Sequence, residues 1–263
     1  MLTITDLGMK FRGENNSIVQ AISGVTLTIP DGQFVCILGP SGCGKSTMLR
    51  IIAGLQLGYD GIIEHDGSVS GWNTAMVFQE HALFPWLNVE KNVAYGLNLS
   101  VRRTKNPGDQ KARVQKYLSL CRMDNSGGSF PHQLSGGMCQ RVALARALVI
   151  EPDVLLMDEP FGALDPQTRT QLQQEVLTIH KTTKKTILLV THSVEEAVLL
   201  ADRIILLSGS PAGVRTDISM PHSHPRDPED PDIIALRKQV TTILTDTPGD
   251  GETSDMKKSV LMK

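Results

Sequence analysis

Short apolar runs dominate the first eighty residues of the chain. They are rich in β-branched residues and are separated by turn-forming Gly, Pro, Asn and Asp residues, a pattern typical of β-strands. The runs lie at residues 2–4, 19–22, 25–29, 34–38 and 74–78. Those before residue 30 predict a small antiparallel layer. The continuously apolar run 34–38 predicts a parallel strand that is buried on both faces.

The pattern changes between residues 88 and 150, where apolar residues recur at three- and four-residue spacing. The segments 89–97, 110–120 and 138–148 are predicted helices. Alternation of strand and helix then resumes, with strands at 153–157, 186–190 and 203–207 and helices at 167–178 and 194–201. The predicted fold is therefore α/β: a parallel sheet, a small antiparallel β subdomain and an inserted helical subdomain at about 88–150.

A glycine-rich segment, GPSGCGKST, joins the strand 34–38 to a helix-like run at 46–53. Glycines let successive amides point inward, and the start of a helix favours negative charge, so the segment predicts a phosphate site. Lys45 is predicted to reach the β- and γ-phosphates, and Ser46 to ligate Mg²⁺. The alternative, a turn that binds nothing, does not explain the full motif in this context. The core is therefore predicted to be a RecA-like P-loop NTPase that binds ATP and Mg²⁺ through Gly39, Pro40, Ser41, Gly42, Cys43, Gly44, Lys45, Ser46 and Thr47.

Polar residues follow the ends of three further predicted strands. Asp158 and Glu159 follow an apolar run, Gln79 follows the run 74–78, and His192 follows the run 186–190. Ligands of open α/β sheets bind at the carboxyl edge of the strands. Asp158 is expected to hold Mg²⁺, and Glu159 to orient and polarise an attacking water. The alternative is a pair of surface carboxylates.

A second phosphate-binding helix start is predicted at Ser135, Gly136 and Gly137, which open the helix that continues to residue 148. It has no lysine, but its free amides also favour an anion. One chain therefore holds two phosphate-binding ends.

The sequence LSGGMCQ at residues 134–140, upstream of VLLMDEP at 154–160, resembles the signature of ABC-transporter ATP-binding subunits. The P-loop, Gln79, the signature, Asp158, the sequence ALD at 163–165 and His192 follow in that family's order over residues 1–208. The resemblance implies a cassette over this range. Met138 stands where the family commonly has Gln, and both phosphate-binding ends are kept.

The resemblance also implies roles for these residues in a head-to-tail pair of ATP-binding subunits, most simply a homodimer. Each ATP is held between the P-loop of one copy and residues 135–137 of the other, and Asp165 bridges the copies. Ser46, Gln79 and Asp158 serve Mg²⁺. Glu159 is the general base, and His192 contacts the γ-phosphate.

Phe11 precedes the first predicted turn. An aromatic ring there is expected to stack on the purine, a position where the family often has Tyr; the alternative is a strand residue packed in the core.

Composition and charge argue against several classes of protein. The chain has 263 residues and a formal net charge of -2, without a basic patch, which argues against a nucleic-acid partner. Its four cysteines form no C-x-x-C pair, so neither a zinc site nor a disulfide framework is expected. No run approaches the length of a membrane-spanning helix, and the N-terminus does not resemble a signal peptide, so a cytosolic protein is expected.

Leu83, Phe84 and Trp86 form an apolar, aromatic patch beside the helical subdomain. Such a patch predicts a socket for a partner helix; the alternative is packing within the subdomain. The resemblance places the coupling helix of a membrane subunit here. It implies separate transmembrane permease subunits, an extracytoplasmic solute-binding protein, and a peripheral position at the cytoplasmic face of the inner membrane. The sequence of this segment most resembles that of ATP-binding subunits from importers of nitrate, sulfonates, taurine and bicarbonate.

Two other functions remain open at this point. One is a soluble ABC ATPase acting in DNA repair, translation or iron–sulfur assembly, which is disfavoured by the single cassette. The other is a P-loop kinase, which does not explain the signature or Asp165.

The end of the chain is predicted to lack a large domain. Residues 209–244 are predicted to be a Pro-rich linker followed by a short amphipathic helix that docks on its own core or on a partner. His222 and His224 are expected to lie in a solvated linker rather than to bind a metal. Residues 245–263 are predicted to be a disordered tail.

Overall fold

The structure, a computed structural model, describes residues 1–12, 16–69, 72–99 and 107–245. Within these ranges the chain forms nine strands and seven α-helices. The strands are β1 (Leu2–Arg12), β2 (Ile18–Ile29), β3 (Phe34–Leu38), β4 (Asp60–His65), β5 (Thr74–Val77), β6 (Val154–Asp158), β7 (Thr186–Thr191), β8 (Arg203–Leu207) and β9 (Val214–Ser219). The helices are α1 (Lys45–Ile52), α2 (Val89–Leu99), α3 (Pro107–Leu120), α4 (Gly136–Leu148), α5 (Pro166–Thr183), α6 (Val194–Leu200) and α7 (Pro231–Thr245). Thr245 of the predicted tail ends α7, and residues 246–263 lie outside the described part.

Two sheets form the described core. The larger has the order β5-β6-β7-β3-β8-β9; its neighbours are parallel except at the β8–β9 edge. The smaller is antiparallel, with the order β2-β1-β4. The predicted α/β architecture is confirmed. Since β3, β5, β6 and β7 run in the same direction, their carboxyl ends lie at one edge of the sheet.

Alternating side chains of β3 face two hydrophobic cores. Val35 and Ile37 pack with α1 and the antiparallel sheet. Phe34, Cys36 and Leu38 pack in the other core, with residues of the helical subdomain, α5 and α6. All five side chains are buried, as the continuous apolar run predicts, because neighbouring residues of a strand point to opposite faces.

The helices α2, α3 and α4 follow one another between β5 and β6 and form the helical subdomain. Gly96 lets α2 lie against α4, since a Cβ at this position would lie 2.9 Å from the carbonyl oxygen of Arg146. None of the helices in the described ranges combines the length and the apolar character needed to cross a membrane.

The segment that follows residue 208 differs from the predicted linker. Val214–Ser219 form β9, which extends the larger sheet. Arg226 is 9% exposed and donates hydrogen bonds to the carbonyl oxygens of Val198 and Ala201, each 2.7 Å long, so the proline-rich stretch packs against α6 instead of being solvated. Helix α7 docks on its own core, where Ile233 and Val240 are buried.

Candidate active site

The P-loop follows β3 at the centre of the larger sheet and leads into α1. Gly42 and Gly44 have φ values of +77° and +106°, a region that side chains disfavour. A Cβ on Gly44 would also lie 2.7 Å from the carbonyl oxygen of Ala21. Gly44 is the N-cap of α1, and no side chain caps it. The first amides of α1 are therefore available to an anion, in agreement with the predicted phosphate site.

Lys45 is held inside this loop. Its side chain is almost fully buried, and Nζ donates hydrogen bonds of 2.8 Å to the carbonyl oxygens of Gly39 and Pro40. An ammonium group has three N–H donors, so these two carbonyls use two of them. The positive charge thus lies within the loop, where a bound phosphate would meet it.

Ser46 and Asp158 bring two oxygen ligands together. The Ser46 hydroxyl donates to Oδ1 of Asp158 over 2.7 Å, and Asp158 is the last residue of β6. Gln79 follows β5, the neighbour of β6, and its Nε2 lies 3.7 Å from where a Cβ on Gly162 would be. Hydroxyl, carboxylate and amide oxygens are the ligands that Mg²⁺ prefers. Ser46 and Asp158 therefore fit such a site, and Gln79 follows the strand next to the one that ends at Asp158.

Glu159 and His192 form a pair at the same edge. His192 Nδ1 lies 3.0 Å from Oε2 of Glu159. Glu159 has φ +44°, and its amide donates to the carbonyl of Val190 in β7, so the chain turns sharply as β6 ends. The His192 side chain is 58% exposed and that of Glu159 is 21% exposed. The carboxylate of Glu159 can accept a proton from water, and the imidazole of His192 can orient that carboxylate.

The signature residues lie at the start of α4. Ser135 caps this helix, its Oγ accepting a hydrogen bond from the amide of Met138. Ser135 and Gly136 are exposed. A Cβ on Gly136 would meet His81 and Leu164, and one on Gly137 would lie 2.3 Å from Thr168 of α5. The nearest neighbours of these glycines are therefore not residues of the P-loop in the same chain.

Asp165 caps α5, which begins beside α4. Its Oδ1 accepts a hydrogen bond from the amide of Thr168 over 3.0 Å. This hydrogen bonding lowers the pKa of Asp165 from its ordinary value. Asp165 therefore presents a stable negative charge at the exposed start of α5.

Phe11 lies near the end of β1, paired with Val19 of β2, and is 36% exposed. The alternative of a core residue does not fit this exposure. Ile18 and Val19 beside it are more exposed, so the hairpin presents an apolar surface.

The patch of Leu83, Phe84 and Trp86 is only partly exposed. Trp86 is 71% exposed, whereas Leu83 and Phe84 are half-buried. The Phe84 ring lies 4.5 Å from the ring of Tyr95 and 5.5 Å from that of Trp86, measured between ring centroids. Leu83 and Phe84 thus pack partly within the subdomain, whereas Trp86 is exposed to solvent above the aromatic contacts of Phe84.

Two buried or half-buried side chains hold this patch in place. Asn92 accepts a hydrogen bond from the amide of Phe84 and donates to the carbonyls of Phe84, Leu87 and Asn88. Arg146 of α4 donates to the carbonyls of His81 and Ala82. The loop after Gln79 is therefore fixed to both α2 and α4.

Sequence reasoning missed Glu196, a buried carboxylate behind the Glu159–His192 pair. Burial raises its pKa, and a hydrogen bond from Thr191 acts in the opposite direction. Its signal in the sequence is Ser193-x-x-Glu196, which resembles a capping box. In the structure Ser193 caps α6, but the carboxylate binds the Thr191 hydroxyl.

This arrangement defines a class of protein. A P-loop after the central strand, an Asp-Glu pair at the end of β6 and a histidine after β7 are the parts of a P-loop nucleoside triphosphatase. A serine-capped helix with two opening glycines provides a second phosphate-binding end.

The comparisons identify the family. A family profile described as ABC transporter matches residues 22–162, and the chain belongs to that family. The predicted resemblance is confirmed, and the chain is an ATP-hydrolysing cassette.

Curated relatives and solved structures that are similar to this chain agree with this family assignment. The chain is 42% identical to the "Aliphatic sulfonates import ATP-binding protein SsuB" of Bacillus subtilis (strain 168), with 91% of each chain covered. It is 44% identical to the "Taurine import ATP-binding protein TauB" of Jannaschia sp. (strain CCS1), covering 84% of this chain and 82% of the relative. The dimeric post-hydrolysis state of the ATP-binding cassette MJ0796 with ADP and Pi superposes with a TM-score of 0.74 at 30% identity, covering 85% of this chain and all of that one.

Proposed function

We propose that this chain is the ATP-hydrolysing subunit of an importer for a small anionic solute, and that two copies form the working unit. The observation that carries the proposal is the division of the site. Lys45, Ser46, Asp158, Glu159 and His192 belong to the carboxyl edge of one sheet, whereas the capped start of α4 is exposed and the nearest neighbours of its glycines lie outside the P-loop. Two copies placed head to tail supply both halves to each ATP.

The residue roles follow from this arrangement. The amides and lysine of residues 39–47 hold the phosphates, and the start of α4 in the other copy closes over them. Glu159 accepts a proton from the attacking water, and His192 holds Glu159 and the γ-phosphate in line. Asp165 contacts the second copy. Ser46, Gln79 and Asp158 would hold Mg²⁺, which would supply positive charge to the phosphates.

Phe11 is proposed to stack on the purine. We expect Phe11→Ala to raise the KM for ATP by about fivefold to 150-fold and to leave kcat unchanged, because stacking on a base contributes about 1–3 kcal/mol of uniform binding. Steady-state ATPase kinetics measure both constants. Phe11→Tyr is the matched control and should keep the wild-type KM. An unchanged KM in Phe11→Ala would remove this assignment.

The proposed partners are separate transmembrane permease subunits, which receive a solute-binding protein on the other side of the membrane. Trp86 and the aromatic base beneath it form the proposed socket for a permease helix, since large aromatic side chains dominate the binding energy of such contacts. The loop that carries them begins at Gln79, so permease contact and the Mg²⁺ site share one segment. The proposed location is the cytoplasmic face of the inner membrane. The names of the relatives favour alkanesulfonates or taurine as the solute, with nitrate and bicarbonate as alternatives.

Solute uptake by cells that lack this chain tests the proposal. We expect the wild-type chain to restore uptake of labelled taurine or an alkanesulfonate, and Trp86→Ala to reduce it by about tenfold or more, the effect of losing a central aromatic contact. The purified Trp86→Ala chain should keep its own ATPase activity, because Trp86 lies outside the phosphate site.

The control is Leu57→Ala, which removes another exposed apolar side chain and should leave uptake unchanged. Co-purification with permease should be lost only in the Trp86 variant. Uptake of nitrate or bicarbonate instead would correct the solute. Co-purification with ribosomes or nucleic acid, and no effect on uptake of any of these solutes, would contradict the proposal.

A further inference from the structure

Glu196 lies beneath the Glu159–His192 pair and has no role in the steps above. It is 6% exposed, and its Oε2 accepts a hydrogen bond of 2.6 Å from the hydroxyl of Thr191. Thr191 is the residue directly before His192. A buried carboxylate is costly unless polar partners satisfy it, so its position beside the site requires a reason.

The bonds around Thr191 fix both sides of His192. The Thr191 hydroxyl donates to Glu196 and accepts from the amide of Ser193 over 3.0 Å. The hydroxyl of Ser193 in turn accepts from the amide of Glu196. These bonds close a ring around the backbone of His192, and the direction of its imidazole depends on that backbone.

Arg169 lines the same cavity as Glu196 and is hydrogen-bonded to a second loop. It lies on α5, and its Nη2 donates to the carbonyl of Leu164, the residue before Asp165. Its charge interacts with that of Glu196, and its Nε is buried without a hydrogen-bond partner among the described residues. Arg169, Glu196, Glu159 and His192 line one cavity of about 60 Å³. Removing the charge of Arg169 would leave the buried carboxylate of Glu196 less compensated.

We propose that Thr191, Glu196 and Arg169 form a positioning network, which holds the loop of His192 and the loop of Asp165 in fixed relation beneath Glu159. The inference rests on the proposed roles of these residues in ATP hydrolysis. In the described ranges, the side-chain hydrogen bonds of the network reach neither the P-loop nor Phe11. The network therefore affects the hydrolytic step and not the binding of ATP.

Glu196→Gln tests the network, with Glu195→Gln as the matched control. Both variants remove one carboxylate from the first turn of α6, but Glu195 is exposed. We expect Glu196→Gln to lower kcat by about tenfold or more, because a small misplacement of catalytic groups is that costly, while the KM for ATP and the Kd for a non-hydrolysable analogue change by less than about twofold. Glu195→Gln should match the wild type in all three.

Hydroxyl variants give a second test that preserves the fold. Thr191→Ser keeps the hydrogen bonds and should keep kcat within about threefold, whereas Thr191→Val, of the same shape, should lower kcat as Glu196→Gln does. Equal kcat in the two Thr191 variants would overturn the proposal. A parallel loss of analogue binding in Glu196→Gln would also overturn it, since that result indicates general disruption.

The double variant Arg169→Gln/Glu196→Gln asks whether the two residues act together. Its loss of kcat should be close to that of either single variant, whereas independent losses that multiply would contradict a shared network. Glu159→Gln in the same assay distinguishes a failure of the proposed network from a failure of the proposed function. If Glu159→Gln stops turnover and Glu196→Gln equals Glu195→Gln, only the network fails; if Glu159→Gln keeps full turnover, the proposed function fails.

Discussion

Glu159→Gln is expected to lower the rate of ATP hydrolysis by about 10²–10⁴-fold, the usual contribution of a general base. Glutamine has nearly the same shape as glutamate and can still form a hydrogen bond with Nδ1 of His192, but it does not take a proton from water. The phosphate and Mg²⁺ residues remain unchanged. The expected result is therefore a chain that binds ATP normally and hydrolyses it very slowly, measured by release of phosphate and by binding of labelled ATP.

The same variant should accumulate as an ATP-loaded dimer, because in the proposed arrangement two copies enclose each ATP and this variant hydrolyses that ATP very slowly. Light scattering with MgATP should give twice the mass found with MgADP. Lys45→Ala is the comparison: it should fail to form the dimer because it loses phosphate binding. A Glu159→Gln chain that turns over ATP at the wild-type rate, or that stays monomeric with ATP, would contradict the assigned role.

The phosphate half of the site was predictable because its signals are local. A fully apolar run indicates a strand buried on both faces, and the glycines before Lys45 indicate a loop that other residues cannot form. The start of α4 was predictable for the same reason, since Ser135 is a good N-cap residue. These features depend on residues that are close in sequence.

The missed features depend on contacts between distant residues. In β9 only Ile218 is clearly buried, so its polar sequence lacks the alternation that marks a strand, and pairing with β8 decides its structure. Arg226 is buried because the carbonyls at the end of α6 accept its hydrogen bonds. Glu196 has the sequence position of a capping-box residue, and only the fold shows that Thr191 takes its carboxylate.

A shared site predicts that two inactive variants can restore each other. Lys45→Ala disables the P-loop, and Ser135→Arg places a bulky cation at the start of α4; each alone should lower single-turnover hydrolysis by about 10²-fold or more, as loss of a phosphate-stabilising group does. A mixed dimer contains one site with both defects and one site with none. Mixed dimers purified through two different tags should therefore hydrolyse ATP at about half the wild-type yield per dimer, since one site of the pair is intact.

The reverse combination provides the control. A chain carrying both Lys45→Ala and Ser135→Arg, paired with a wild-type chain, has one defect in each shared site, so this mixed dimer should be inactive. If each chain instead held a complete site of its own, the wild-type chain of this control dimer would remain active. The first mixed dimer would then be inactive, because each of its chains carries one defect. The two mixed dimers contain the same residues in different chains, so composition does not distinguish them. A difference in activity between the two mixed dimers therefore depends on which chain carries the substitution at Ser135. If only the first mixed dimer is active, the exposed start of α4 completes the phosphate site of the other copy.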